Sequence, residues 1–289
     1  MFSLDSVLDD LWPQARPAPW QKRLLKKLFH EEEFRQFAAD HRHLKGLDMV
    51  EQVLEHLDIL CTLPAHDLEQ IPAHGPLIVM TNHPTGTLDG LALLYAGSRV
   101  RRGGKVVTNR MLTHLEPLSS LFIPVDNIGG RTAKSSFTLM EQHLQHAGVL
   151  IFFPAGEDPR PTRTGIPETK WHPGFIKLAS KFRAPLLPVN IHARNSLLFY
   201  ASTLLAPNLS MLLLMQQMFR RRHSRLPVKI GQQIGWSHWF SPTLSPREMA
   251  EQCRQHVLRL GKGLPGIFKT ESAIARPEDR ATLKRELAQ

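Results

Sequence analysis

The chain reads as an α/β fold, a mixed sheet flanked by helices, with a helical region in front of it. Three observations predict this. From Pro76 onward, short β-rich runs alternate with segments of helical period. Several of these apolar runs end in polar or charged residues beside a Pro/Gly turn, as strands do when their ends share one sheet edge. The first seventy residues carry helical periodicity instead. The expected organisation is a helical N-terminal region over 1–70, a main domain over 71–265 and a polar C-terminal tail over 266–289.

In chain order, Pro19–Phe29 places Trp20, Leu24, Leu25, Leu28 and Phe29 on one stripe and Lys22, Arg23, Lys26 and Lys27 on the other side. Two readings stand for such a helix: one that lies on an anionic membrane, or an ordinary surface helix packed on the core. A second helical stretch is expected near Leu47–Leu60. Strands are expected at Leu77–Met80, Lys105–Thr108, Leu121–Val125, Val149–Phe153, Pro185–Ile191 and Val228–Ile234. In Thr132–Gly148, Phe137, Met140 and Leu144 share a helical face, and Gly148 offers a C-terminal stop. His143 and His146 on this helix read as surface residues. A further helix is expected at Pro173–Phe182, after the turn-rich segment that leads to Trp171 and His172. The run from Leu197 to Met215 is strongly apolar but is split by Pro207-Asn208 and followed by Arg220–Arg225. It falls short of an unbroken spanning helix, which needs about 20 apolar residues. Two short helices that dip into a bilayer or pack on the core fit it better. Ser245-Pro-Arg-Glu248 combines a capping box with proline at the first helical position.

Composition narrows the function. With 42% hydrophobic and 21% charged residues over 289 positions, the chain can bury a sizeable core. Lys plus Arg exceed Asp plus Glu by 36 to 26, which favours an anionic partner. Nucleic acid is the weaker candidate, because the arginines do not alternate with stacking aromatics and no helix-turn-helix or zinc pattern is present. The two cysteines, Cys61 and Cys253, show no metal-like spacing and suggest a reducing compartment. The first residues lack the pattern of a signal peptide. A metal-dependent hydrolase is disfavoured, since no second histidine stands at ligand spacing beside His83.

The most informative stretch is Thr81-Asn-His-Pro-Thr-Gly-Thr-Leu-Asp-Gly90, which follows Leu77-Ile-Val-Met80. His83 and Asp89 are six residues apart and cannot meet on a continuous helix. Pro84 and Gly86 supply a turn between them. His83 would then close a strand and Asp89 would open the helix Asp89–Gly97, its carboxylate accepting the imidazole Nδ1–H and leaving Nε2 to take a proton from a hydroxyl. The same residue types also make an ordinary capping turn, so the stretch alone leaves both readings open.

Other strand ends add to it: Leu121-Phe-Ile-Pro-Val-Asp126, Phe152-Phe-Pro-Ala-Gly-Glu-Asp-Pro-Arg160 and Pro185-Leu-Leu-Pro-Val-Asn190. Taken in this order, the blocks resemble the glycerolipid acyltransferase family, over roughly Leu77 to Asn190. His83-Pro-Thr-Gly-Thr-Leu-Asp89-Gly90 is similar to the hemolysin-like branch, which includes O-acyltransferases of ornithine and glycine lipid synthesis. His43-Leu-Lys-Gly-Leu47 and Trp171-His-Pro-Gly-Phe-Ile-Lys-Leu178 also resemble that branch.

The resemblance implies a fatty acyl transfer from acyl-CoA or an acyl-carrier protein, as co-substrate, to the hydroxyl of a lysolipid, with no other cofactor and no metal. His83 would be the general base, oriented by Asp89, and backbone N–H groups around Gly86–Gly90 would receive the oxyanion. The residues expected to bind substrate are Asn82, Thr85, Gly86 and Gly90 from the first block, Asp126 and Arg131 from the second, and Pro154, Gly156, Glu157 and Arg160 from the third. His-x5-Asp here is one residue longer than the usual family spacing, and Val125-Asp126 stands where phosphate-binding members carry arginine. These departures suggest a zwitterionic or amine-bearing acceptor of lyso-ornithine type, with Asp126 or Glu157 near its cation and Arg131 or Arg160 near its anion. The alternatives are a 1-acylglycerol-3-phosphate acyltransferase and a lipid-binding protein without catalysis. The expected place is peripheral, on an anionic membrane surface at the cytoplasmic face of the inner membrane.

Overall fold

The computed structural model describes residues 18–28, 30–110, 112, 115–125, 134–155, 170–193 and 216–268. Helices α1 (Pro19–Leu28), α2 (Glu31–Asp40) and α3 (Leu47–His56) precede strand β1 (Ile59–Thr62) and the short α4 (Ala65–Leu68). The alternation then begins: β2 (Leu77–Thr81), α5 (Thr87–Ser98), β3 (Gly104–Asn109), a 3-10 turn (Glu116–Leu121) and β4 (Phe122–Val125). It continues with α6 (Lys134–Gln145), β5 (Val149–Phe152), α7 (Gly174–Phe182), β6 (Leu186–Ile191) and β7 (Ser224–Ile230). Helices α8 (Trp236–Trp239) and α9 (Pro246–Gly261) follow. The strands form one seven-stranded sheet in the order β1-β7-β6-β2-β5-β3-β4. The five from β6 to β4 run parallel, while β7 is antiparallel to β6 and β1 is parallel to β7. The mixed sheet flanked by helices is the expected class.

Alternation along the central strands builds two cores. Leu77 and Val79 of β2, with Val106, Ile151 and Val189, face Val50, Leu88 and Leu91 of α3 and α5. Ile78 and Met80, with Leu150 and Leu186, face Met140, Phe175, Ile176 and Cys253 of α6, α7 and α9. β2 is buried along its whole length, which is why it reads as an unbroken apolar run.

Three expectations are corrected. The first seventy residues are not all helical: Ile59–Thr62 forms β1, an edge strand paired, among the described residues, only with β7. Four residues at the foot of a helix are too few to show alternation, and Leu60 is 55% exposed. The last strand begins at Ser224 rather than Val228, with Leu226, Val228 and Ile230 inward and Arg225, Pro227 and Lys229 outward. Beyond Ile230, the described residues hold only an isolated bridge from Ile234 to Leu186. Finally, His143 is not a plain surface residue. Its Nε2 lies 2.9 Å from the Gly103 carbonyl and 3.2 Å from that of Val149. Burial, then the nearby Lys105, hold its pKa below the ordinary histidine value. Gly148 is needed because a Cβ there would collide with this ring, while the left-handed residue after α6 is Ala147 (φ 56°).

The capping box of α9 forms as expected: Ser245 Oγ accepts from Glu248 N–H at 3.3 Å, and the Ser245 N–H donates to Glu248 at 2.7 Å. Among the described residues, no helix is long and apolar enough to cross a membrane. The run Leu197–Met215 and the tail from Thr270 lie outside the described residues.

Candidate active site

The site begins where β2 ends. Asn82 is buried, and both ends of its amide bind one residue of the neighbouring strand. Its Nδ2 donates to the Ile191 carbonyl at 2.9 Å, and its Oδ1 accepts the Ile191 N–H at 2.8 Å. The side chain thus adds one more rung to the β2–β6 ladder after the backbone has left it. This rung fixes the backbone from which His83 projects. Asn82, expected at substrate, makes this rung with both ends of its amide.

The chain then turns at Gly86, whose φ of 73° and ψ of −116° suit only a residue without a side chain. Helix α5 starts at Thr87, two residues earlier than expected, which makes Asp89 its third residue. From there the carboxylate folds back over the turn. Asp89 Oδ2 accepts from His83 Nδ1 at 3.0 Å, from the Thr85 N–H at 2.8 Å and from the Gly86 N–H at 3.1 Å. Its Oδ1 accepts from the Thr85 hydroxyl at 2.5 Å. Asp89 is fully buried, and these four donors together with the positive end of α5 compensate the loss of water. The extra residue between His83 and Asp89 is therefore absorbed by a turn whose polar groups converge on one carboxylate.

His83 is the partly exposed member of the pair, with a side chain 23% accessible. Its ring lies on Phe153, centroids 3.9 Å apart. With Nδ1 donating to Asp89, Nε2 carries the basic lone pair. Phe153 and the buried Pro154 follow β5, and the Pro154 carbonyl accepts the His172 N–H at 2.7 Å. That bond seats Trp171 and His172 beside the strand-end turn.

The other expected residues divide clearly. Thr85 is buried with its hydroxyl on Asp89. Gly90 faces inward, where a Cβ would contact Val106 at 3.6 Å and Phe153 at 3.9 Å. The N–H groups of Thr85 and Gly86 donate to Asp89, so of the backbone N–H groups around Gly86–Gly90 expected at the oxyanion, that of Gly86 is engaged by the carboxylate. Asp126, Arg131, Gly156, Glu157 and Arg160 lie outside the described residues. Among the described residues, no group of three or more His, Cys, Asp or Glu stands close enough to hold a metal ion. Burial pushes the Cys61 thiol up to about 11 and raises Cys253 as well, so neither is a ready thiolate nucleophile.

The sequence reading missed two residues. One is Phe153, the platform under His83. The other is Arg110, directly after β3. Val79 is level with Ile151, and Ile151 with Val106, so His83 and Arg110 each stand four residues further toward the same edge. They are two strands apart, roughly 10 Å. Arg110 is exposed. The polar strand ends that marked the other strands also mark this one, as Asn109-Arg110 after Val106-Val-Thr108.

Comparison with known proteins identifies the family. The chain is 30% identical over 243 residues to the lyso-glycine lipid O-acyltransferase of Bacteroides thetaiotaomicron, covering 82% of this chain and 88% of that protein. It is 28% identical over 243 residues to the lyso-glycine lipid O-acyltransferase of Phocaeicola vulgatus, covering 82% and 86%. The crystal structure of the 1-acyl-sn-glycerophosphate (LPA) acyltransferase PlsC from Thermotoga maritima is 16% identical, with a TM-score of 0.46 over 83% of this chain and 96% of that one. At that level the likeness carries no weight for the site. The family model described as acyltransferase matches residues 13–264, nearly the whole of the described fold, and the chain is therefore a member of the acyltransferase family.

Proposed function

We propose that the protein is a lipid O-acyltransferase that esterifies the hydroxyl of a lyso-amino-acid lipid, with His83 as general base and Asp89 as its positioning carboxylate. The carrying observation is the His83 Nδ1–Asp89 Oδ2 contact of 3.0 Å, made at the carboxyl edge of the sheet by a carboxylate that three further donors fix. In this reading His83 Nε2 takes the proton of the acceptor hydroxyl as its oxygen attacks the thioester carbonyl of acyl-CoA or an acylated carrier protein. The tetrahedral intermediate collapses, the C–S bond breaks, and the thiolate recovers the proton from the imidazolium. Asp89 holds the tautomer and stabilises the imidazolium while it exists.

The acceptor class draws on two supports. The relatives are named for lyso-glycine lipid, and a lipid whose headgroup is an amino acid presents a carboxylate. Arg110 stands at the same strand-end level as His83 and supplies a cation for that carboxylate. Such an acceptor belongs to a membrane surface, and a peripheral position at the cytoplasmic face of the inner membrane is part of this reading.

The test is acylation of lyso-glycine lipid, lyso-ornithine lipid and lysophosphatidic acid, offered side by side with an acyl thioester. Turnover of a lyso-amino-acid lipid is expected, and use of lysophosphatidic acid alone would reject the acceptor. His83→Ala should lose about a thousand-fold or more in kcat while remaining folded. A variant that still turns over at the wild-type rate would remove His83 from the chemistry.

A further inference from the structure

We infer that the open face of the sheet at β7 and β1 is a docking surface for an acidic carrier protein that brings the acyl group. The inference rests on the acyl-transfer reading and adds the donor's side of it. Ile59 of β1 and Leu226, Val228 and Ile230 of β7 belong to the core beneath α3 and α5. The alternate residues of both strands point to the other side of the sheet. On that side α9 covers β6: Asn190 Nδ2 donates to the Val257 carbonyl at 3.3 Å, and Pro188 and Leu260 crowd Gly231. The cover stops there. On β7, Arg225, Pro227 and Lys229 are exposed, and on β1 Leu60, level with Arg225, is 55% exposed. The loop after α9 borders this face. A Cβ on Gly263 would lie 3.9 Å from Lys229 Nζ, which places exposed Lys262 and Leu264 beside the strand. The Leu264 N–H donates to the Arg259 carbonyl at 2.9 Å, and Arg259 Nε donates to the Pro265 carbonyl at 2.6 Å. A fixed loop thus holds a half-exposed leucine out to water.

Charge and shape select the occupant. Among the described residues, Arg225, Lys229 and Lys262 make no ion pair. Asp58, the residue before β1, is engaged by His223 at 2.8 Å. Arg225 and Lys229 share one face of β7 four residues apart, roughly 13 Å, with Pro227 between them. Phosphates of a nucleotide call for cations that converge on one point, whereas these are spread along a strand. A row of cations interleaved with Leu60, Pro227 and Leu264 matches an acidic amphipathic helix, whose carboxylates repeat along one side. The placement suits the reaction. Val228 is opposite Ile191, the residue bound by Asn82 next to His83. The face therefore stands at the level of His83 and two strands from it, roughly 10 Å across the sheet. Arg110 stands two strands away in the other direction. Donor and acceptor thus reach His83 from opposite flanks, with the carrier's phosphopantetheine arm passing over the carboxyl edge.

The experiment uses the full chain with two donors of the same acyl group, an acylated carrier protein and the acyl-CoA. Binding of fluorescently labelled acyl-carrier protein is measured separately by anisotropy. Lys229→Glu combined with Lys262→Glu should raise KM for the acylated carrier about ten-fold and weaken its binding by a similar factor, with kcat unchanged. The difference from wild type should shrink as salt rises. Leu60→Asn should weaken carrier binding several-fold at any salt, since it removes apolar contact and no charge. KM and kcat with acyl-CoA, and the circular dichroism, should stay at wild type in both variants, which shows that they remain folded. A wild-type chain that does not bind the carrier overturns the proposal, as does carrier binding by the variants equal to wild type. An equal rise in KM for both donors would assign the cations to the phosphates of coenzyme A and overturn it too. Carrier binding that the variants weaken, without acyl transfer from either donor to any lysolipid, would leave the surface standing and sink the catalytic reading.

Discussion

The turn from Asn82 to Asp89 and the helix α1 use polar and apolar groups in opposite ways. In the turn, Asn82, Thr85 and Asp89 are all buried, and their side chains bind one another's neighbourhood through directed hydrogen bonds. Any one change there leaves a buried donor or acceptor without a partner. In α1, no residue is buried, and the apolar side chains have water on them. A change there removes little that the fold relies on. The first region is held in one geometry by its own protein, as a catalytic pair must be. The second is left open to something outside it. Stability and function should therefore separate: mutations in the turn should damage both, and mutations in α1 only the second.

The strongest attempt to break this contrast is Asp89→Ala. It strips the acceptor from two backbone N–H groups, a hydroxyl and an imidazole, and should cost roughly 3–5 kcal/mol in urea unfolding as well as acyl transfer. A stability near wild type would show that the turn is looser than its hydrogen bonds imply. A peripheral segment that is clamped should behave like the turn, and the residues after α9 provide one. His256 is buried, and its Nδ1 accepts the N–H groups of Ile267 at 3.0 Å and Phe268 at 3.2 Å. Burial, helped by Arg259, pushes its pKa down from 6.5 to about 4. The stabilisation from the neutral ring is complete above the ordinary value, declines as pH falls below it, and is gone once pH passes the folded value. Thermal melts from pH 7 to pH 4 should show a loss of about 3 kcal/mol that His256→Gln lacks.

Gly86→Ala should cost about 1–3 kcal/mol, because a side chain at that φ and ψ is strained wherever it points. Thr85→Val should cost about 1 kcal/mol and lower kcat several-fold with KM unchanged, while Thr85→Ser restores both. An unchanged kcat would make Thr85 structural only. The smallest effect is expected for Leu24→Glu, within about 0.5 kcal/mol of wild type in the same unfolding assay. A larger loss would mean that α1 is part of the core after all.

Much of this was legible in the sequence where one element carries its own pattern. The central strands are apolar runs because they are buried in the sheet, and five strands were placed to within one residue at each end, while β7 begins four residues before its expected start. The His83–Asp89 pair was legible because Pro84 and Gly86 announce a turn between residues of complementary chemistry. What the turn does with its remaining polar groups was not. Thr85, Asn82 and Gly86 look alike as candidates for binding a ligand. Only the close return of Asp89 over the turn, and the approach of Ile191 from 109 residues away, show the hydrogen bonds they make within the protein. Arg110 and Phe153 were missed for a related reason. Their proximity to His83 follows from strand order and register, which local periodicity does not contain. β1 was hidden for the same reason, since its partner β7 lies far along the chain.

That last pairing also sets an order of assembly. Ile59 pairs with Ser224, and among the described residues no other strand pairs with β1. While the chain is being synthesised, β1 must wait until residues 224–230 have emerged, and the outer edge of β6 is open during the same interval. Closing so long a loop is slow, and two unpaired strand edges invite pairing with other nascent chains. β7 is thus the keystone of biogenesis: a chain cut just before Ser224 should retain the His83 turn yet aggregate, with both edges still exposed.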